Sequence, residues 1–206
     1  MKLPQPSPEP AKIDRLVPGG QGIATLENGK KAFLWNALPG EVVNFDIVKS
    51  KSSYLEGVAT KILKPSPVRI APLDPCYLAT SPWQIMDYDS ELAAKSALIS
   101  EMFRQNNLAL PNPVAVLTDN QDFHYRNKME YSLYWDREKS QIFPAFHARG
   151  SHAKIPIEKS SIERPELFKK ALEIIAELNK NGEPARKYQS LLLRSNQSGE
   201  VSGGLF

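Results

Sequence analysis

Tyr125-Arg126-Asn127-Lys128-Met129-Glu130-Tyr131-Ser132-Leu133-Tyr134-Trp135 is the stretch on which the fold of this chain turns. Apolar and polar residues alternate from Met129 to Trp135 and aromatic rings are frequent, the pattern of a strand with one face buried. Asp136-Arg137-Glu138-Lys139-Ser140 follows as a charged loop. Gln141-Ile142-Phe143-Pro144-Ala145-Phe146-His147 reads as the returning strand. Pro144 has no amide hydrogen for a ladder, so an edge or a bulge is expected there. Side chains two apart on an extended chain share a face, which puts Arg126 and Lys128 together. A sheet face with cations beside flat rings suits unpaired bases and their phosphates. The same pattern arises when the rings are core and the cations merely solvated.

Around this hairpin the chain has 206 residues, room for one large domain or two modest ones. With 41% hydrophobic and 24% charged residues it reads as a soluble globular protein. A net charge of +3 and a pI near 8.9 permit a polyanionic partner without requiring one. Cys76 is the only cysteine, which excludes an intrachain disulfide. His124, His147 and His152 are scattered without the spacing of a metal site, so no metal is expected. No apolar run approaches the roughly 18–20 residues that a membrane helix needs, so no membrane partner is expected. The Pro-rich start lacks the apolar region of a signal peptide. Residues 1–11 therefore read as a disordered lead-in, and the protein as a cytoplasmic monomer.

Residues 12–63 read as short strands and turns. Asn28-Gly29 is a hairpin signal in which both central residues need positive φ. Residues 31–35 form the return strand, 41–49 alternate with Val43, Phe45 and Ile47 on one side, and 55–63 supply another strand. So many strands in so short a span predict a small closed barrel. Lys30, Lys31, Lys49 and Lys51 cluster near its loop tips, where phosphate contact and plain solubility compete as explanations. Pro65, Pro67, Pro72 and Pro75 make residues 64–75 a semi-rigid linker. Ser90 is expected to cap a helix lined by Leu92, Leu98, Ile99, Met102 and Phe103. Asn106-Asn107 and Pro111-Asn112-Pro113 end it. Pro165 opens a second helix with a stripe of Leu167, Phe168, Ala171, Leu172, Ile175 and Leu178, closed by Asn181-Gly182. A strand over 189–194, a turn, and the start of a partner strand over 200–206 follow. A chain ending in mid-hairpin reads as a piece of a longer protein.

Taken in order, these segments resemble the N-terminal half of the S-adenosylmethionine-dependent RNA uracil-C5-methyltransferases. Gly20-Gln21-Gly22-Ile23-Ala24, Gly29-Lys30-Lys31-Ala32-Phe33-Leu34 and Ala37-Leu38-Pro39-Gly40-Glu41-Val42-Val43 resemble the TRAM domain, an OB-like RNA-binding barrel. Pro65-Ser66-Pro67-Val68-Arg69 with Pro72 is similar to the family's linker. Tyr88, Leu92 and Lys95 are similar to the start of its next helix. Tyr125-Arg126-Asn127-Lys128-Met129 and residues 155–157 are similar to its central sheet. The resemblance implies an α+β protein: an OB-like barrel over 12–63, the linker over 64–75, and a mixed α/β central domain with an antiparallel sheet over 76–206.

The resemblance also implies RNA, ribosomal or transfer, as the partner. Lys30, Lys31, Lys49, Lys51, Arg126 and Lys128 are then the candidate contacts, joined by Arg149 and Lys154, whose Arg149-Gly150-Ser151-His152 stretch resembles the family's loop after the hairpin. Two departures qualify it. Many members bind a [4Fe–4S] cluster through several cysteines, whereas Cys76-Tyr77-Leu78-Ala79-Thr80-Ser81-Pro82-Trp83-Gln84 holds one and Ser160 stands near the place of the distant ligand. No cluster is expected, and packing around Trp83 is expected to fill its space. The second departure concerns catalysis. Members carry a Rossmann-like domain with the methyl donor, the nucleophilic cysteine and the general base. Here no Gly-rich cofactor turn is visible apart from the terminal Gly203-Gly204, and Cys76 aligns with a cluster ligand. S-adenosylmethionine is thus expected for the full-length family and not for these residues, which should be inactive alone. A stand-alone RNA-binding protein, or a purely structural module, remains the alternative.

Overall fold

The structure, a computed structural model, describes residues 4–110, 114–149, 151 and 153–206. These residues divide into two compact units, drawn from Met1–Pro72 with Pro82–Thr118 and from Leu73–Ser81 with Asp119–Phe206. Residues 82–118 thus group with the barrel, not with the domain expected over 76–206.

In the first unit β1 (Gln5–Pro6) and β2 (Ala11–Leu16) both pair with β5 (Val42–Ser50). From β2 the sheet continues through β3 (Gly22–Thr25) and β4 (Lys31–Trp35) to β6 (Tyr54–Lys64). Pairing of β6 with β5 closes the barrel, and only the β4–β6 contact is parallel. Ile13, Ala24, Leu34, Val43, Phe45 and Leu55 fill the interior, as the alternation along each strand requires. At Gly57 an added Cβ would strike the Asp46 carbonyl and the Leu34 and Phe45 side chains, so closure needs bare backbone there.

Several expectations change in this unit. Residues 5–11, read as part of a disordered lead-in, are ordered: Gln5 lies opposite Ile47, and the Ser7 amide donates to the Phe45 carbonyl at 2.9 Å. Prolines do not forbid a short edge strand whose other amides still donate. At the β3–β4 turn only Gly29 has positive φ, at 81°. The Gly29 amide donates to the Leu26 carbonyl and the Leu26 amide to the Lys30 carbonyl, both at 2.9 Å. This is a turn followed by a left-handed bulge residue, so Asn28 keeps negative φ. The helix α2 (Tyr88–Gln105), which follows the single turn α1 (Tyr77–Thr80), is capped by Asp87 rather than Ser90. Asp87 Oδ1 accepts the Ser90 amide at 2.8 Å. None of the apolar residues of α2 is buried, and Ile99 and Met102 are 40% and 45% exposed. The helix end expected at Pro111-Asn112-Pro113 lies outside the described residues.

The segment expected as a linker is tied to the barrel. Glu41, wholly buried, accepts hydrogen bonds from the amides of Leu38 and Ser66 and from Arg69 Nε and Nη2. Arg69 Nη2 also donates to the carbonyl of Asn36 at 3.0 Å. Trp83 packs against Gly20, with Lys95 Nζ 5.6 Å from its ring centre. It therefore belongs to the first unit, whereas Cys76 lies in the core of the second.

The second unit is a five-stranded antiparallel sheet with one face covered by a helix. β7 (Lys128–Asp136) is central, flanked by β8 (Gln141–His147) and then β9 (Lys154–Pro156) on one side. After α3 (Pro165–Lys180), β10 (Ser190–Ser195) and β11 (Val201–Leu205) complete the other side. Met129, Tyr131 and Leu133 of β7 join Leu167, Ala171, Ile175 and Leu178 of α3 in one core. Pro144 sits just past the last ladder pair with β9, where its carbonyl accepts the Ile157 amide at 2.9 Å. Pro144 is nonetheless inside β8, opposite Leu133 of β7 and with strands on both sides, so the expected edge or bulge is not found and the missing amide hydrogen is tolerated where β9 ends.

Candidate nucleic-acid interface

Lys30 and Lys31 lie at the β3–β4 turn, and Lys49 and Lys51 at the end of β5 and the turn after it. Because β4 runs parallel to β6, Lys31 stands opposite Tyr54. The Lys51 amide donates to the Tyr54 carbonyl at 2.8 Å. The four lysines therefore gather at one end of the barrel. Phe33 and Tyr54, half-buried beside them, meet edge to face with ring centres 5.8 Å apart. Lys49 Nζ lies 5.8 Å from the Tyr54 ring centre and 2.8 Å from Glu56 Oε1. That hydrogen bond, and then the charge of Glu56, raise the Lys49 ammonium above its ordinary pKa. Lys31 Nζ donates to Thr25 Oγ1 at 2.7 Å. Cations interleaved with ring edges are the elements from which single-strand binding surfaces are built. Phe33 and Tyr54 escaped the sequence reading because only the β4–β6 register brings them together.

In the second unit Arg126 and Lys128 are both exposed, Lys128 at the start of β7 and Arg126 just before it, in an isolated parallel bridge with Glu163. β10 adds a cation that sequence reasoning did not identify: Arg194, also exposed, stands directly opposite Lys128. Like charges opposite one another weaken an antiparallel pair, and an anion bound between them would relieve the repulsion. The remaining two candidates are engaged in holding the unit together. Arg149 Nε donates to the Leu78 carbonyl at 2.8 Å, and Lys154 Nζ to the Leu133 carbonyl at 2.9 Å. Gly150 and His152, from the same loop, lie outside the described residues.

Arg126 also borders a buried polar cluster, its amide donating to the Ile162 carbonyl while its own carbonyl accepts from Arg164. Glu163 is wholly buried; its Oε2 accepts the Tyr131 hydroxyl, and Oε1 has no hydrogen-bond partner among the described residues. Burial first, then the charge of Asp74, push its carboxyl up to about 8, with Arg126 pulling the other way. Asp74, also buried, accepts from the amide and hydroxyl of Ser161 at 2.8 and 2.7 Å. Burial, followed by Asp74 and Glu163, pushes the Cys76 thiol up to about 11. A thiol so shifted is a poor nucleophile at neutral pH.

The residues here do not fit the iron–sulfur cluster that the resemblance raises. A cubane takes four thiolates, and the sequence supplies Cys76 alone. Ser160, whose buried Oγ has no hydrogen-bond partner among the described residues, carries no thiol. Among the described residues no group of three or more His, Cys, Asp or Glu is placed to hold a metal ion. Gly203 and Gly204 lie in β11 opposite Leu193 and Leu192, so they are strand residues and not a cofactor turn. No helix among the described residues is long and apolar enough to cross a membrane.

Comparison with known proteins agrees with this architecture. Residues 9–60 match the TRAM domain. The chain is 31% identical over 183 residues to the 23S rRNA (uracil(1939)-C(5))-methyltransferase RlmD of Vibrio cholerae, covering 86% of this chain and 40% of that protein. It is 33% identical over 127 residues to an RNA methyltransferase of Thermotoga maritima, covering 60% of this chain and 28% of that one. The chain thus spans about two-fifths or less of the curated relatives' length. The crystal structure of Pyrococcus abyssi tRNA (uracil-54, C5)-methyltransferase with S-adenosyl-L-homocysteine shares the fold, with a TM-score of 0.61 and 18% identity over 95% of this chain and 45% of that one. The chain is a TRAM-domain protein homologous to the RNA uracil-C5-methyltransferases over part of their length.

Proposed function

We propose that these residues are the RNA-recognition part of an S-adenosylmethionine-dependent RNA uracil-C5-methyltransferase. In this reading the barrel and the central sheet bind ribosomal or transfer RNA. A catalytic domain outside these residues holds the methyl donor and receives the flipped uridine. The observation that carries the reading is the gathering of Lys30, Lys31, Lys49 and Lys51 beside Phe33 and Tyr54 at one end of a barrel matched by the TRAM domain. The cationic face of Arg126, Lys128 and Arg194 supports it. Methylation at C5 by covalent addition needs an activated thiolate, and the buried, neutral Cys76 is unsuited to that role. To test this, the chain is incubated with ribosomal or transfer RNA and tritium-labelled methyl donor, and RNA retention and label transfer are measured together. Retained RNA without transferred label is the expected result. Label in the RNA would overturn the placement of catalysis, and absence of retention would overturn the recognition role.

A further inference from the structure

Beside the cationic sheet face, Ala79 and Thr80 of α1 and residues 126, 128, 129, 130 and 146 line a half-open cavity of about 340 Å³. Arg126, Lys128 and Glu130 alternate along one extended segment, so their side chains rise on the same side. Met129 and Phe146, 5% and 9% exposed, also line it, but their side chains belong to the helix-covered core and not to the face on which Arg126, Lys128 and Glu130 rise. The Ser190 hydroxyl donates to Glu130 Oε1 at 2.8 Å, which orients the carboxylate. Among the described residues neither Arg126 nor Lys128 forms an ion pair with Glu130 or with any other acid.

Two cations without an acidic partner and an oriented acceptor beside a space this small define a narrow class of ligand. The volume lies at the low end of ligand sites, which run from roughly 300 to 1,000 Å³. It admits one nucleotide and excludes a duplex. The cations suit a phosphate, with Arg194 opposite Lys128 adding to the positive field. A carboxylate accepts from base amines and imines. Guanine offers it two adjacent donors, N1–H and the N2 amine, whereas cytosine and adenine each offer one amine. Uracil flanks its single N3–H with two carbonyl oxygens that repel a carboxylate.

We propose that this cavity is a single-nucleotide site for an unpaired guanosine of the bound RNA, with the phosphate on Arg126 and Lys128 and the base edge on Glu130. The inference rests on the RNA-recognition reading and names the base that one part of that surface selects.

The test uses the 206-residue chain labelled with nitrogen-15, titrated with the 5′-monophosphates of guanosine, cytidine, adenosine and uridine. Amide shifts at Thr80, Met129 and Glu130 are expected to saturate with guanosine monophosphate at about tenfold lower concentration than with uridine monophosphate. Glu130→Gln should erase that preference while retaining phosphate-dependent shifts. Arg126→Ala with Lys128→Ala should weaken all four nucleotides. In a short single-stranded RNA, replacing guanosine by inosine, which lacks the N2 amine, should lower affinity in the parent and not in E130Q. Equal response to guanosine and uridine monophosphates, or a folded E130Q protein with unchanged preference, overturns the guanosine site. RNA binding that persists through either result leaves the wider recognition role standing, and loss of RNA binding by the parent chain removes both.

Discussion

Glu163 is buried with one carboxylate oxygen on the Tyr131 hydroxyl and the other without a hydrogen-bond partner among the described residues, which favours the protonated form. Asp74 and Cys76 face it with negative or potentially negative charge, Arg126 with positive charge, and His124 Nδ1 contacts its backbone carbonyl at 2.9 Å. Its pKa of about 8 in the fold exceeds the ordinary 4.5, so the folded chain keeps a proton that the unfolded chain releases between those values. Its contribution to stability is full below the unfolded value and is lost as pH rises through the folded one. Glu163→Gln retains an acceptor for Tyr131 and removes the titration. Unfolding free energies of this variant, from urea denaturation, are expected to exceed those of the parent by about 1–3 kcal/mol near pH 8 and to vary less between about pH 5 and 9. A variant that follows the parent's slope would show that Glu163 is ionised in the fold. Glu41 shows the opposite sign: burial pushes its pKa up, but Arg69 and the amides of Ser66 and Leu38 together hold it below 4.5. Its stabilisation is present above the unfolded pKa and is lost as pH falls through the folded one. Arg69→Ala leaves that carboxylate buried without its cation and should cost about 3–5 kcal/mol by urea denaturation. A parent-like midpoint would mean the pair is solvated. Neither cluster was legible beforehand, because each joins residues far apart in the chain, and Arg69 lay in what read as a linker.

The hairpin and the helix that covers it were legible because their patterns are local. Alternation from Met129 to Trp135 placed β7 within a residue of its bounds, and the residues read for β8 are those observed. The 3.6-residue stripe also located α3, yet it could not tell how far round the helix the sheet reaches. Leu167 is wholly buried while Leu172, in the same expected stripe, is 45% exposed. Leu167→Ala is therefore expected to cost about 2–5 kcal/mol in thermal or urea denaturation, and Leu172→Ala less than about 1 kcal/mol. Equal losses would show that the sheet covers both. The same limit applies to α2, whose periodic residues Ile99 and Met102 remain largely exposed. Periodicity names an apolar face without naming what covers it. The β1 strand was hidden for another reason. Pro4, Pro6, Pro8 and Pro10 read as disorder, but Gln5 and Pro6 lie opposite Ile47 and Asp46 of β5, and the Ser7 amide donates to the Phe45 carbonyl.

At the scale of the molecule, barrel closure brings the loop-tip lysines of two separate turns to one end, and the β7–β10 pairing adds Arg194 to Arg126 and Lys128. The order of segments made the two-part architecture legible, while the register that assembles each cationic surface was not. A polyanion that uses both surfaces should lose part of its affinity when either is neutralised. The most direct measurement is RNA affinity across a salt series for the parent, for Lys30→Ala with Lys31→Ala, for Arg126→Ala with Lys128→Ala, and for the quadruple variant. Each lost phosphate contact is expected to flatten the plot of log affinity against log salt by roughly 0.7–0.9. Each double variant should retain partial affinity, and the quadruple variant, folded by circular dichroism, should lose nearly all of it. A folded quadruple variant that binds RNA with the parent's affinity and salt slope would contradict the account.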